Sequence, residues 1–184
     1  MIETERLILR RWRAKDREPY EAMTSDPEVM DWLGGTLTGE ETQARVDRIE
    51  AHFDRWGYGR FALERKADGA FLGYCGIAHV FEGLPVTGVE IGWGLARHAW
   101  GQGYVSEAAR AATSEGLARW ALPEVLAFTA DTNLRSQAVM VRSGFTRDPS
   151  RDFDHPILPV GHPLSRHLVF FARPPSPPGE GQTA

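Results

Sequence analysis

The segment Trp100-Gly-Gln-Gly-Tyr-Val-Ser-Glu-Ala108 sets two glycines between a strand-like run, Val89 to Leu95, and a helix-forming run that continues to Trp120. A strand, a glycine turn and a helix start leave a row of unpaired amide N–H groups at the positive end of a helix dipole. Such a row binds phosphate or pyrophosphate. It is not a nucleoside triphosphate loop, because no Gly-Lys-Ser/Thr end puts a lysine and a hydroxyl on the phosphates, and Ser106 stands alone. Nor does it fit a dinucleotide fingerprint: Ser106 occupies the place of the third glycine, and Asp131 comes too late to serve as that motif's acidic residue. Taken alone, the turn is also compatible with a plain tight connection before a core helix.

The elements around this turn can be read from periodicity. Residues 6 to 13 alternate Leu7, Leu9 and Trp12 against arginines, a strand with one wet face. Residues 15 to 24 read as a short helix, and Asp26-Pro27 opens a helical turn to Leu33 that Gly34-Gly35 ends. Thr38-Gly-Glu-Glu41 is a capping box for a helix reaching about Trp56, with Val46, Ile49 and Phe53 on one face. Strands at 60 to 66 and 70 to 80 flank the hairpin signal Ala67-Asp68-Gly69. A strand at 125 to 130, a helix at 134 to 143 and strands near 145 to 148 and 167 to 173 complete one domain, residues 1 to 173. Residues 149 to 165 have no clear period, and 174 to 184, rich in proline and glycine, read as a disordered tail.

Beyond the turn come Asn133-Leu-Arg-Ser136, a helical stretch and Ser143-Gly-Phe145. With these, the sequence resembles the GNAT superfamily of acetyl-CoA-dependent N-acetyltransferases, and within it the RimJ/RimL-like branch that acetylates ribosomal-protein N-termini. The resemblance runs from about residue 3 to 172. It is carried by Glu3-Thr-Glu-Arg-Leu-Ile-Leu-Arg10, Phe71-Leu-Gly-Tyr-Cys-Gly-Ile77, Val89-Glu-Ile-Gly, the Trp100 segment, Asn-x-x-Ser and Gly-Phe, in that order. It implies a mixed α/β (α+β) domain whose mostly antiparallel central sheet is splayed in the middle, with helices on both faces. It also implies acetyl-CoA as cosubstrate, with no metal.

Acetyl transfer from a thioester to an amine requires that the donor be held, its carbonyl polarised, the amine deprotonated and the departing thiolate stabilised. The resemblance implies that the amides of Gly101, Gln102, Gly103, Tyr104, Val105 and Ser106 cradle the pyrophosphate, although Val105 replaces the small residue of the usual pattern. It further implies that backbone groups of Trp93 and Leu95, beside Gly94, meet the acetyl-pantetheine arm, and that Asn133 binds the pantetheine amide; a plain helix cap is the alternative for Asn133. The expected base is Glu90, on the strand face opposite Val89 and Ile91, with a salt-bridged strand residue as its other reading. Glu107 is a lesser candidate, adequately explained by the helix dipole, and His79, His155 and His162 are alternative bases. Many relatives place a tyrosine seven residues after the asparagine; here that position is Met140, so Ser136 is the nearest hydroxyl for the thiolate, with helix-start capping as its alternative.

Composition bounds the rest. A chain of 184 residues with 42% hydrophobic and 25% charged residues fits one soluble globule. No apolar run approaches the roughly 20 residues of a membrane span, and the lone Cys75 suits a reducing cytoplasm and reads as a small core residue. A net charge of −4 and no basic stripe argue against nucleic acid and are compatible with a cationic amine partner. The expected activity is acetylation of a primary amine, first the N-terminal α-amine of a protein or peptide. A polyamine, amino acid or aminoglycoside acceptor is the alternative, as is a non-catalytic CoA-binding sensor. Either a monomer or a homodimer is compatible, and the acceptor pocket is expected from residues 20 to 40, which include Trp32, and 149 to 165.

Overall fold

A computed structural model describes residues 1–159 and 161–175, so most of the expected tail, 176–184, lies outside the described residues. The elements, in order, are β1 (Ile2–Glu3), β2 (Leu7–Arg10), α1 (Arg17–Thr24), α2 (Pro27–Met30), α3 (Gly39–Trp56), β3 (Arg60–Arg65), β4 (Phe71–His79) and β5 (Val89–Leu95). They continue with α4 (Tyr104–Ala118), β6 (Val125–Ala130), α5 (Leu134–Arg142), β7 (Thr146–Arg147), β8 (Phe153–Asp154) and β9 (Arg166–Ala172). The capping box forms as the sequence predicts: Thr38 Oγ1 accepts from Glu41 N at 3.2 Å while Glu41 Oε2 accepts from Thr38 N at 2.8 Å. Gly57, at φ +76°, supplies the left-handed close of α3.

Three stretches differ from the periodic reading. The helix expected over 15 to 24 begins as a 3-10 turn, Ala14–Asp16, because the Asp16 carboxylate draws in both Arg13 N and the Arg10 guanidinium. The turn at 27 to 33 is shorter than expected: Leu33 N and Gly35 N both return to Met30 O, and Gly34 and Gly35 take φ of +94° and +91°. The aperiodic loop 149 to 165 contributes β8, a two-residue strand held on β9.

All the strands form one sheet in the order β1-β2-β3-β4-β5-β6-β9-β7, with β8 also on β9. Every pairing is antiparallel except β5 with β6. Antiparallel β4 and β5 match from Gly73↔Leu95 to His79↔Val89, and β6 and β9 from Val125↔Ala172 to Ala130↔His167. Between these blocks, β5 and β6 meet at a single parallel pair, Glu90↔Leu126. The sheet therefore splays from residue 91 onward, as expected for this strand.

The two faces have separate cores. On one, Leu63, Ile77, Ile91 and Leu95 pack with Ala108 and Ala112 of α4. On the other, Ala62 and Tyr74 pack with Tyr20 and Met23 of α1 and Val29 and Met30 of α2. Since side chains alternate along a strand, odd-numbered β5 residues face α4 and even-numbered ones face α1.

Candidate active site

The glycine turn leaves the start of α4 uncapped. Gly101 and Gly103 adopt φ of +73° and +78°, values that any L side chain takes only with strain, and Gly103 is the N-cap of α4. No side chain caps this helix, so its first N–H groups remain open at the positive end of a 15-residue helix. A Cβ on Gly101 would meet nothing within 4 Å, and one on Gly103 only Arg6 Nη2 at 3.6 Å. The glycines are thus required by backbone conformation, and the space above them is clear. Val105 is half-buried against the α4 core and does not interrupt the helix.

Glu107, read from the sequence as a dipole residue, has a more specific task. It accepts from Thr4 Oγ1, from Arg6 N at 2.8 Å and from Arg6 Nε at 2.7 Å. Arg6 in turn donates from Nη1 to Gln102 O at 2.9 Å and lies over the Tyr104 ring. The turn is thereby strapped to the β1–β2 connection. Arg142 Nε reaches Ser106 Oγ at 3.5 Å, and Arg135 stacks on Trp100. Neither Arg135 nor Arg142 has a carboxylate partner among the described residues. These two cations beside the turn were not legible as site residues in the sequence; their i, i+7 spacing on α5 is the only signal that they share a face.

Backbone parity directs groups into the splay. Ala96 N donates to Leu72 O and Val80 N to Gly88 O at the two ends of the β4–β5 ladder. Antiparallel bonds recur at every second residue, so even-numbered β5 residues bond β4 and odd-numbered ones turn their N–H and C=O toward β6. Trp93 and Leu95 lie beyond the last β5–β6 pair. Leu95 O is taken by Trp100 Nε1 at 2.8 Å, which leaves the Leu95 N–H and the Trp93 backbone directed at the gap. Gly92 and Gly94 point the other way. A Cβ on Gly92 would meet Arg60 Cζ at 3.1 Å, and one on Gly94 would meet Tyr74 Cε1 at 2.8 Å and Met23 Cε at 2.9 Å. Their small size serves packing on the α1 face.

Glu90 lies on that α1 face, and its side chain is 13% exposed. Its Oε1 accepts from Arg60 Nη2 at 2.6 Å. Burial pushes the Glu90 carboxyl above the usual carboxylate range even though Arg60 pulls it down. Both readings of this residue, base and ion-pair partner, therefore have a physical footing. Tyr20, near Arg60, is wholly buried; its hydroxyl, approached by Arg45, makes no well-formed hydrogen bond among the described residues, and burial pushes its pKa to about 12.

Across the gap, Asn133 caps α5: its Oδ1 accepts from Ser136 N at 3.1 Å. Only the oxygen is used, and Nδ2 has no partner among the described residues. Ser136 is half-buried with its hydroxyl unbonded, while Met140 is packed in the core at 2% exposure and has no proton to give. Trp100, Asn133 and Arg135 line a cleft of about 390 Å³ together with Glu28, Asp31 and Trp32. Parts of the segments expected for donor and acceptor thus share one opening. A larger groove, about 750 Å³ between α1 and the start of α3, is lined by Glu21, Ala22, Ser25, Leu37, Thr38 and Gly39 of the expected acceptor segment, but by none of the expected catalytic or CoA-binding residues.

The alternative bases differ in their surroundings. His79 Nε2 pairs with Tyr58 Oη at 3.0 Å in an aromatic cluster with His52 and Trp56, at the end of β4 away from the splay. His162 is exposed and holds a turn through Leu164 N. His155 meets His167 at a tilt of 46°, ring centroids 5.2 Å apart, and burial lowers the pKa of His167. Cys75 is fully buried, and burial pushes its thiol upward, which unsuits it to carry an acyl group. Among the described residues, no three His, Cys, Asp or Glu side chains gather closely enough to hold a metal ion, and no helix is long and apolar enough to cross a membrane.

Comparison with known proteins agrees with this geometry. The family model described as an acetyltransferase (GNAT) domain matches residues 6–146. The uncharacterized Bacillus subtilis protein YkkB is 34% identical over 115 residues, 61% of this chain and 66% of YkkB, so the match spans just under two thirds of that relative. The uncharacterized N-acetyltransferase YnaD of the same organism is 27% identical over 80% of this chain and 83% of its own. Among solved structures, an acetyltransferase from Agrobacterium tumefaciens aligns with a TM-score of 0.77 at 27% identity, covering 94% of both chains. The same fold at lower identity occurs in RimL, a ribosomal L7/L12 alpha-N-protein acetyltransferase in complex with coenzyme A, at 17% identity, TM-score 0.72 and 92% and 95% coverage. It also occurs in spermidine N-acetyltransferase from Vibrio cholerae with CoA and spermine, at 13% identity, TM-score 0.71 and 92% and 96% coverage.

Proposed function

The chain belongs to the GNAT acetyltransferase family, and from that premise we propose that it transfers the acetyl group of acetyl-CoA to an α-amine, that of a protein or peptide N-terminus being the first choice. The carrying observation is the arrangement around β5. An uncapped glycine turn lies on the α4 side, odd-numbered backbone groups point into the splay, and a desolvated carboxylate, Glu90, stands on the opposite side. Donor and acceptor would then enter from opposite faces and meet in the gap.

Each residue has a role in that reading. The amides from Gly101 to Ser106 hold the pyrophosphate, with Arg135 and Arg142 as counter-charges. The Trp93 and Leu95 backbone and Asn133 Nδ2 orient the pantetheine arm. Glu90 takes one proton from the ammonium, the freed nitrogen attacks the thioester carbonyl to form the C–N bond of a tetrahedral adduct, and the C–S bond breaks as that adduct collapses. The second nitrogen proton leaves with the collapse of the tetrahedral adduct, and the thiolate, hydrogen-bonded by Ser136, is released as thiol. Amine and acetyl-CoA give acetamide and CoA. An α-amine, with a pKa near 8 against about 10.4 for a lysine-like amine, is the easier group to deprotonate. Two fold neighbours act on different acceptors, a ribosomal-protein N-terminus and a polyamine by their names, so the fold itself does not choose between them.

Release of free thiol from acetyl-CoA with peptides, amino acids and polyamines tests this reading. Turnover with α-amines above that with polyamines is the expected result. Acetyl-CoA binding with no turnover on any amine would make the protein a sensor instead. In calorimetry, Gly103→Glu should abolish acetyl-CoA binding, since it sets a carboxylate at the phosphate site and a side chain at φ +78°.

A further inference from the structure

The Arg60–Glu90 pair is incomplete on both sides. Arg60 makes one hydrogen bond, from Nη2 to Glu90 Oε1, out of the five its guanidinium can donate. Its Nε is buried with no partner, and its side chain is 30% exposed, with Nη1 unbonded and open. Glu90 Oε2 likewise has no protein donor and is not enclosed. The guanidinium lies against Gly92, where a Cβ would come within 3.1 Å of Arg60 Cζ and Nη2 and force the side chain to shift. Beneath it, Tyr20 and Tyr74 meet edge to face, and the Tyr20 hydroxyl, approached by Arg45, makes no well-formed hydrogen bond among the described residues. A buried donor left unpaired is destabilising. Arg60 Nε is such a donor, and with the open groups of the same pair it marks a surface finished for something other than the fold.

An ammonium ion alone is poorly served here. Any cation approaching Glu90 meets the guanidinium already on that carboxylate, and the pair together carries no net charge to attract a polyamine. A group with both signs is served well: its ammonium can sit on Glu90 Oε2 while its carboxylate accepts from Arg60 Nη1. We propose that Arg60 and Glu90 together recognise an amine flanked by a carboxylate, so that the acceptor is zwitterionic at the reacting end. This rests on the α-amine reading above and narrows it. Two sources offer that chemistry: the α-carboxylate of a free amino acid, or the acidic side chain of an aspartyl or glutamyl N-terminus. Arg60 then acts as a specificity residue and also fixes the rotamer of Glu90.

The test compares matched acceptors by kcat/KM with saturating acetyl-CoA. L-alanine against L-alaninamide reads the α-carboxylate, and an Asp-initiated tripeptide amide against its Asn-initiated counterpart reads the side-chain carboxylate; spermidine serves as the polyamine. In the wild type, at least one acid should exceed its amide by about 10- to 100-fold, the worth of one charge-assisted hydrogen bond, and the pair that does so identifies the source. In Arg60→Gln that ratio should fall to near one, and Gly92→Ala should lower it with Arg60 still present. Because the wild-type ratio needs no variant, misfolding of either substitution leaves the test intact. Turnover that ignores the carboxylate in both pairs, or favours spermidine, overturns the inference while leaving amine acetylation standing. No turnover with any amine overturns both.

Discussion

Two arginines rise from the same face of the sheet, Arg10 on β2 and Arg60 on β3, and they are finished differently. Arg10 is 3% exposed and fully engaged: Nη1 and Nη2 hold Asp16 at 2.6 and 2.8 Å, Nε holds Glu64 at 2.9 Å, and Nη1 also reaches Arg11 O. Arg13 and Lys15 close around Glu64 from outside. Arg60, more exposed, has one carboxylate contact and unpaired donors. A buried charge with every bond made is what a stable fold requires. A charge left part-satisfied one strand away, beside the splay, is what a binding site requires. The pKa shifts follow the same division. Burial raises both carboxyls, but at Glu64 the bonds from Arg10 and Lys15 outweigh it and the pKa falls, whereas at Glu90 burial prevails and the pKa rises.

The sharpest way to break this contrast is Asp16→Ala, which leaves the Arg10 charge buried and half-paired. It should cost about 3–5 kcal/mol, read as a lower denaturant midpoint, with acetyl-CoA affinity of the folded protein retained. If stability barely changes, the Arg10 cluster is not the structural half of the comparison.

Glu90→Gln should do the opposite: little change in midpoint or acetyl-CoA affinity, but turnover down by about 10²–10⁴-fold, the usual contribution of a general base. The deficit should shrink as pH rises, because the spontaneously deprotonated fraction of the amine grows about tenfold per unit below its pKa. Unaltered turnover across the pH range would move the base elsewhere, with His155 or His162 next.

A smaller effect sharpens the comparison by sign. Glu64, with a lowered folded pKa, stabilises the protein above its unfolded pKa, and that contribution is lost as pH falls through the folded value. Glu90, with a raised folded pKa, contributes fully below its unfolded pKa and loses that contribution as pH rises through the folded value. Denaturation between pH 3 and 7, roughly the range that brackets carboxylate titration, should therefore show Glu64→Gln flattening the acid loss and Glu90→Gln steepening the net rise of stability with pH. The smallest change belongs to Ser136→Ala, less than about tenfold in turnover, because water can protonate a thiolate of pKa near 8.5. A loss as large as that of Glu90→Gln would give Ser136 a required proton-donor role.

Much of this was legible in the sequence wherever the cause is local. The capping box at Thr38, the hairpin at Asp68, the limits of β5 and the uncapped turn at Gly103 all depend on neighbours within a few residues. Illegible were contacts set by strand register: Arg60 with Glu90, 30 residues apart, and Arg6 with Glu107, 101 residues apart. Alternation assigned Glu90 to its face, but no sequence pattern shows which side chain of the neighbouring strands lies across it. The β8 strand was missed because two residues are too few to establish a period.

The alternation along β5 has a consequence for how such a protein can be changed. Even-numbered positions turn side chains toward α1, while odd-numbered positions lend their main chain to the splay. Replacing a side chain at Glu90 or Gly92, or at Arg60 on the neighbouring strand, alters what stands over one face without editing the peptide groups that open toward the other. One strand thus holds two separable instructions, one written in side chains and one in main chain. Lineages, or engineers, can rewrite the first and inherit the second unchanged.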